Sequence, residues 1–506
     1  MAKNLASAAL RYGKLWGRGH ETFPKSMRRI LSIKGKGDNP TNFLQGLITC
    51  DLLSEPAPPR VQSEQEIERQ VMDSASGDDD GNDMEIPPIK FTSKMRSTCF
   101  LDQKGRILTD ALLWKKTFVD KTTDIDGGST AVTVPVDKDE ELEYLIDVPG
   151  DSADLLLNHL KKYKLRRTKV KIDDVSDQVT IHSVYGTLNA EGTPPGYMAA
   201  IDPRHPSLGM RVMSSTDTPS QTPMETHEQR RETFSKMMRD FFPEANGSYN
   251  VIRKLGGVAE GSEITGKTAL ETNQDFLNSV SFQKGCYLGQ ELTARSQFVG
   301  KIRKRIMPLM ILDTNTEIPR PWVIAHKIQD AGLQKLDGNH EFKGMVEIEG
   351  DIPPALPKIS APAAGGIMAM LSGNISLPTL VLSKDGSETQ ELELSEEEKQ
   401  RAEQMQQSSE ALMKDLEEIA VPGAKIVDVK DGKTIGQIIS APAPGTPVLL
   451  AQMRLDEVGL LDSEDRKFSM TNKVLIGDGK EQYRFLPYMP IWWPEVDRET
   501  GKAKVE

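Results

Sequence analysis

The chain has 506 residues, 37% of them hydrophobic, with a mean hydropathy of -0.45 and a formal net charge of -12. That length admits several domains of roughly 100–200 residues, and the polar balance leaves part of it outside any packed core. The longest apolar stretches, such as Gly365 to Leu371, fall far short of the ~20 residues of a membrane-crossing helix, the acidic balance argues against nucleic acid as a generic partner, and three cysteines without a CxxC pair exclude a disulfide framework and a permanent zinc site.

Residues 1–36 hold nine bases against one acid, Glu21, a local charge of +8 that leaves -20 on the remainder. Leu5, Ala8, Ala9, Tyr12 and Trp16 recur at helical spacing, so residues 1–28 read as a basic amphipathic segment of the presequence kind. An ordinary basic surface helix is the alternative. Folded structure is expected from Arg29, where RILSIKGKGD alternates like a strand and NFLQGLITCDLL follows with helical spacing. Residues 54–90, rich in Pro, Ser and acids and including Asp78, Asp79 and Asp80, predict a disordered acidic insert.

The segment CFLDQKGRILTDALLW has the spacing of a hairpin that turns at Lys104-Gly105. A strand (ELEYLIDV), a helix opened by Asp151 or Ser152 (ADLLLNHLKKY) and a second strand (KVKID) come next, an order typical of α+β layers. Residues 213–228 form a second low-complexity insert, and RETFSKMMRDFF reads as a helix. From residue 301 the pattern is mainly β: KRIMPLMIL, KIVDVKDG, KTIGQIISA and TPVLLAQMRL suit a small barrel over 301–494, before a tail at 495–506. An acidic insert at 385–419 carries a capping box, Ser395 with Glu398, and an apolar stripe through Met405, Leu412, Leu416 and Ile419. A lid on the barrel and a partner-binding helix are both open for it.

Two motifs carry chemistry. Gly261 to Thr268, GSEITGKT, fits the phosphate-binding pattern G-x-x-x-x-G-K-[ST], yet no buried strand precedes it and Glu263 would face a phosphate, so an NTPase is disfavoured. In KGCYLGQELTAR, Lys284 to Arg295, glycines bracket Cys286, and a helix expected from Gln290 would place its N-terminal dipole and Lys284 where they stabilise a thiolate. Such a thiolate is a nucleophile and a soft metal ligand; an inert cysteine packed between glycines is the other reading.

KGCYLGQELTAR, with NFLQGLITCDL, CFLDQKGRILTDALLW and IRKLGGVAEGSE in the same chain order, resembles the YgfZ-type branch of the glycine-cleavage T-protein (aminomethyltransferase) superfamily. Mitochondrial members of that branch assist the maturation of four-iron, four-sulfur proteins. The resemblance implies an α+β cloverleaf of ferredoxin-like and Greek-key-type subdomains, residues 29–300, around a channel for tetrahydrofolate, followed by a C-terminal β-barrel. Glu271 falls where relatives place a pterin-binding glutamate, a task that suits a carboxylate. Lys284, Gly285, Tyr287, Gly289, Gln290 and Arg295 would belong to the same cofactor site through the motif, with Cys286 as reactive thiol or transient metal ligand.

Asp110 matches the catalytic aspartate only approximately, because Gly105-Arg106 and Thr109-Asp110 stand where T-proteins carry a paired glycine and usually a paired acid. Cys50, where relatives commonly carry asparagine, reads as packing. The implied function is an accessory factor for iron–sulfur protein maturation in the mitochondrial matrix, a plastid being the second choice. A-type iron–sulfur carrier proteins and apoproteins of the aconitase and radical-SAM type are the implied partners, and a transient iron–sulfur cluster the implied cargo. A folate-dependent one-carbon transferase acting through Asp110 is the alternative. A scaffold or tRNA-modification accessory is the third, with Lys301, Arg303, Lys304 and Arg305 read by default as the solvated face of an edge strand.

Overall fold

In a computed structural model of the chain the described residues are 19–54, 95–116, 141–185, 197–204, 208–215, 227–237, 248–313, 420–428, 432–442, 448–458, 474–476, 483–487, 490, 493–494 and 496–503. In chain order the elements are β1 (Gly19–Thr22), β2 (Arg28–Lys36), α1 (Asn39–Gln45), β3 (Met95–Leu101), β4 (Ile107–Lys116), β5 (Glu141–Pro149), α2 (Ala153–Tyr163), β6 (Val170–Asp174), β7 (Val179–Tyr185), β8 (Tyr197–Ile201) and β9 (Met210–Ser215). They continue with α3 (His227–Met237), α4 (Ser248–Leu255), α5 (Gln290–Phe298), β10 (Lys304–Asp313), β11 (Lys425–Asp428), β12 (Thr434–Ile438), β13 (Val448–Arg454), β14 (Val474–Ile476) and β15 (Tyr483–Pro487). The presequence-like residues before Gly19, most of both low-complexity inserts and the acidic helix with its capping box lie outside the described residues.

Three antiparallel sheets organise the fold: β1-β7-β9-β8, β3-β4-β5-β2-β6 and β14-β11-β12-β13-β10-β15. The second sheet is built around the expected hairpin, with Cys99 opposite Asp110 and Thr98 opposite Ala111. Its β2 and β5 pair over nine residues, Arg28 opposite Pro149 through Lys36 opposite Glu141. Alternate residues Leu31, Ile33, Leu113, Tyr144 and Ile146 face α1 and α2, whose Phe43, Leu44, Leu156 and Leu160 close one core. Burying a side chain of that size contributes roughly 1.5–3 kcal/mol.

Several boundaries differ from the sequence expectation. The fold takes in residues 19–28: β1 pairs with β7, and His20, Glu21, Thr22 and Phe23 are buried. The helix expected over NFLQGLITCDLL stops at Gln45, so Cys50 lies in a buried turn rather than a helix. The C-terminal strands form a six-stranded sheet whose edge strands β14 and β15 lie against each other, though among the described residues no hydrogen-bonded pairing closes them into the expected barrel. Its core also draws in Ile252, Phe276 and Leu277 from before residue 300. The segment expected to be a tail is packed as well, since Val496 is buried and Gly501 accepts a hydrogen bond from Arg305 Nε at 3.1 Å.

Candidate functional site: the Cys286 loop

The loop from Ser281 to Gly289 is fastened to the fold at nearly every residue except two. Ser281 N donates to Thr49 O at 2.9 Å and Leu288 N to Gly46 O at 3.0 Å, so it runs along the turn that follows α1. Between these anchors, Lys284 Nζ donates to the carbonyls of Gln45, Ile48 and Cys50 at 2.8, 2.7 and 2.8 Å. Three ammonium protons meet three acceptors, which satisfies carbonyls that the end of α1 leaves without helical partners. The ammonium also lies 4.9 Å from the Tyr287 ring centre. Burial lowers the Lys284 pKa to about 8 and raises that of Tyr287 to about 12. Lys284 is therefore a clamp of the fold, directed inward.

Gly289 fixes the other end of the loop. It has φ of 78°, and a Cβ there would lie 2.5 Å from Asp102 O and 2.9 Å from Gly105 Cα. Gly105, also at φ of 78°, faces it in turn, with its own Cβ position 2.6 Å from Gly289 O. The two glycines meet without side chains, so the β3–β4 turn and the Cys286 loop fit only as a pair. Asp102 Oδ1 holds that turn by accepting from Lys104 N and Arg106 N, each at 2.8 Å. Tyr287 packs among Cys99, Leu101 and Ile107, and Gln290 Oε1 accepts from Tyr287 N at 3.3 Å at the start of α5.

What remains outward beside Gln283 is the apex, Gly285 and Cys286. A Cβ on Gly285 would touch nothing within 4 Å, and Cys286 is exposed. Cys50 and Cys99 are both buried, and burial pushes their thiols up, Cys99 well up with the Asp110 charge adding to it. Cys286 is thus the chain's only solvent-reachable thiol. Arg295 is exposed on α5, one turn beyond the loop.

Asp110 lies elsewhere, in a buried ion cluster that no sequence motif announced. Glu260 is its centre: it accepts from Arg28 Nη1 at 3.1 Å and pairs closely with Arg204 Nη1 and the Tyr249 hydroxyl. Arg28 Nε also donates to Asp147 Oδ1 at 2.6 Å, and Arg204 Nη2 to Asp202 Oδ2 at 2.7 Å. Asp110 Oδ1 accepts from Gly261 N at 2.8 Å, and its Oδ2 lies 4.0 Å from Arg204. Burial and then the Glu260 charge raise Asp110 to about 6, against the pull of Arg28 and Arg204. Burial would raise Glu260 too, but Arg204, Arg28 and Arg253 hold it well below the usual carboxylate range. A proton-transfer role for Asp110 would need access, and Asp110 is only 4% exposed.

The GSEITGKT stretch serves the same cluster. Helix α4 and a turn precede it, and its amides go to carboxylates, Gly261 N to Asp110 and Ser262 N to Asp151 Oδ2 at 3.1 Å. Of the basic run 301–305, Arg305 is not a solvated edge residue: it is fully buried, doubly bonded to Asp275 at 2.9 Å per contact and stacked 3.7 Å from the Phe276 ring centre. Lys301, Arg303 and Lys304 are exposed.

Glu271 is half-buried beside β10, to which it is tied by Ile306 N donating to its carbonyl at 3.0 Å. Its Oε2 accepts from Thr268 Oγ1 at 2.9 Å, and Oε1 has no protein partner among the described residues. For a reduced folate, Glu271 fits as an acceptor of one N–H and, with Thr268 released, of two. Asp110 does not fit, because its oxygens already face Gly261 and Arg204. Among the described residues no group of three or more His, Cys, Asp or Glu could hold a metal ion.

The chain is 31% identical over 304 residues to a protein of Aspergillus fumigatus named iron-sulfur cluster assembly factor IBA57 homolog, mitochondrial, a match covering 56% of each chain. A Pyricularia oryzae protein of the same name is 32% identical over 263 residues, 51% of this chain and 54% of its own length, and a Neurospora crassa one 37% identical over 188 residues, 33% and 38%. The chain spans a little over half the length of the first two of these relatives. A glycine cleavage system aminomethyltransferase T from Bartonella henselae superposes with a TM-score of 0.45 at 10% identity, over 98% of this chain and 91% of that one. No family model matches the chain.

Proposed function

We propose that this chain, a homologue of the mitochondrial iron–sulfur cluster assembly factors named IBA57, acts in the mitochondrion in the maturation of iron–sulfur proteins, with Cys286 as its working thiol. The observation that carries this reading is the exposure of Cys286 at the apex of a loop clamped on both sides by Lys284 and Gly289. As a thiolate, an exposed cysteine on a loop anchored in this way would be a soft, pre-positioned ligand for iron. One thiolate supplies one of the ligands a cluster needs, and the described residues offer no further set nearby. The remaining ligands would come from a partner, of the A-type carrier kind, which passes the cluster to apoproteins of the aconitase and radical-SAM type.

A reduced folate, the cofactor that the family resemblance implies, would be held through Glu271, the half-exposed carboxylate with a free oxygen. Bound there it would supply one-carbon chemistry. Cys286, Lys284 and Gly289 need no part of it.

The test is complementation of a strain lacking its own factor, scored by aconitase-type activity. Cys286→Ser abolishes complementation with an unchanged circular dichroism spectrum, whereas Cys50→Ser and Cys99→Ser retain it. Full complementation by Cys286→Ser would remove the thiol from the mechanism.

A further inference from the structure

We infer that the groove between α1 and residues 161–171 is a docking surface for an acidic segment, tipped with apolar side chains, of the protein that exchanges a cluster with Cys286. This rests on the reading of Cys286 given above. The run KKYKLRRTKVK holds seven bases and no acid, in a chain whose net charge is -12. All seven are exposed, and among the described residues only Lys171 is ion-paired, to Asp173 at 2.8 Å. Seven exposed cations on eleven consecutive residues make a local positive field that attracts a polyanion, most strongly at low salt.

The groove itself, of about 440 Å³, has an apolar floor of Phe43 and Leu47, and Tyr163, Leu165 and Arg167 line it as well. Leu165, 53% exposed, is a large apolar side chain standing between cations. Such a floor takes one or two aliphatic side chains while the bases pair with carboxylates around them, which is how a short acidic amphipathic segment is read. Single-stranded RNA would need aromatic faces free for stacking. Tyr163 is only half-exposed, with its hydroxyl accepting from Gln103 Nε2 at 3.0 Å and its ring beside His159.

The groove is continuous with the thiol loop. Gly46, which lines it, accepts from Leu288 N, and the neighbouring Gln45 carbonyl accepts from Lys284. Gln103 belongs to the turn that packs Gly105 against Gly289. A chain seated in the groove is therefore held beside the Cys286 loop, and the docking energy comes from charges that the thiol does not touch.

The experiment uses the full chain, a fluorescein-labelled Glu-Glu-Leu repeat peptide as probe, and a Glu-Glu-Ser repeat as control. At about 50 mM salt the wild type and Cys286→Ser bind the Leu-containing peptide equally, and about 300 mM salt weakens it. Lys164→Glu/Arg166→Glu/Arg167→Glu and, separately, Leu165→Asp lose at least tenfold in affinity while Cys286 labels with maleimide at the wild-type rate, which shows an intact loop. The triple variant also fails in complementation. Equal binding by wild type and triple variant, no binding by wild type at low salt, or displacement of the peptide by cardiolipin vesicles or a single-stranded RNA at lower concentration would each overturn the proposal. Complementation by Cys286→Ser would sink the thiol reading and leave the peptide result standing on its own.

Discussion

The Cys286 loop and the Glu260 cluster each set a glycine with positive φ beside a buried cationic side chain, and they do opposite things with them. In the loop, the one charged group is turned inward onto backbone carbonyls while a reactive side chain stands in solvent. In the cluster, the charges are enclosed and paired with one another, and Gly261, at φ of 56°, brings its amide to Asp110 and leaves room for Asp151 Oδ1 and Pro149 Cβ, which a Cβ there would meet at 2.5 and 2.9 Å. A group that could do chemistry does so only where the fold leaves it a path to substrate. The residue with the near-neutral pKa, Asp110, is thus the less eligible of the two candidate reactive groups.

The sharpest way to break this contrast is to remove the centre of the cluster. Glu260→Ala leaves Arg28, Arg204 and Arg253 facing one another without their shared carboxylate. Breaking a buried ion pair by deleting one partner costs about 3–5 kcal/mol, enough to unfold much of a marginally stable domain. Urea denaturation should show that loss, against a change below about 0.5 kcal/mol for Cys286→Ser at its exposed apex. A Glu260→Ala protein as stable as wild type would show that the cluster is not what joins β2, the turn after β8 and α4.

Next in size is Lys284→Met, which keeps the stem and removes the ammonium. Three buried carbonyls lose their donor, at a cost of about 2–3 kcal/mol. Cys286 should also label faster and with broader kinetics, because its loop is released from the turn after α1. An unchanged midpoint in denaturant would mean that water replaces the ammonium at no cost.

Within the cluster, the carboxylates separate in acid. Asp110, raised in the fold from 3.8 to about 6, binds its proton there before the unfolded chain does, so its contribution to stability grows as pH falls from about 6 to 4. Glu260 and Asp202 are depressed by their arginines, so the stability they supply is present above their unfolded values, near 4 to 4.5, and is lost as pH falls through their lower folded values. Asp110→Asn should remove the gain between pH 6 and 4 and keep the loss below it. Stability measured at pH 7, 5.5 and 4 gives the sign directly; a gain that persists in the variant would assign it to another group.

Legibility in the sequence followed locality. The hairpin from Cys99 to Trp114 and the strands β2, β5 and β6 could be read because alternation and a Gly turn act within a few residues. The early end of α1 has a local mark, Gly46 at its C-cap, but the side chain that holds the turn beyond it, Lys284, comes from 239 residues further on from the carbonyl of Gln45. Strand β1 was hidden because four residues whose partner is β7 carry no local pattern, inside a segment whose bases resemble a presequence. At the site, the exposure of Cys286 followed from its glycines, whereas the same glycines gave no hint that Gly289 answers Gly105. The Glu260 cluster was invisible for a similar reason: Arg28, Arg204 and Glu260 each look like an ordinary surface charge until β2 and the turns after β8 and α4, which bear them, converge.

The smallest expected effect concerns Glu271, and it decides whether the core keeps a ligand besides the fold. Its carboxylate is held by a single side-chain hydrogen bond from Thr268 and is half-exposed, so Glu271→Ala should cost less than about 1 kcal/mol of stability. A pterin edge that donates to the carboxylate would lose a charged acceptor, worth about 1.5–3 kcal/mol, or roughly ten- to a hundredfold in affinity. The stability change and the affinity change therefore differ in size, which a merely structural residue would not produce. Calorimetric titration with tetrahydrofolate on wild type, Glu271→Ala and Glu271→Gln reads the affinity, and urea denaturation of the same three proteins reads the stability. Glutamine keeps one acceptor oxygen without the charge, so it should fall between the other two. Equal heats for all three would take Glu271 out of any folate site, and no heat from wild type would leave iron–sulfur maturation through Cys286 as the activity to be explained without a folate.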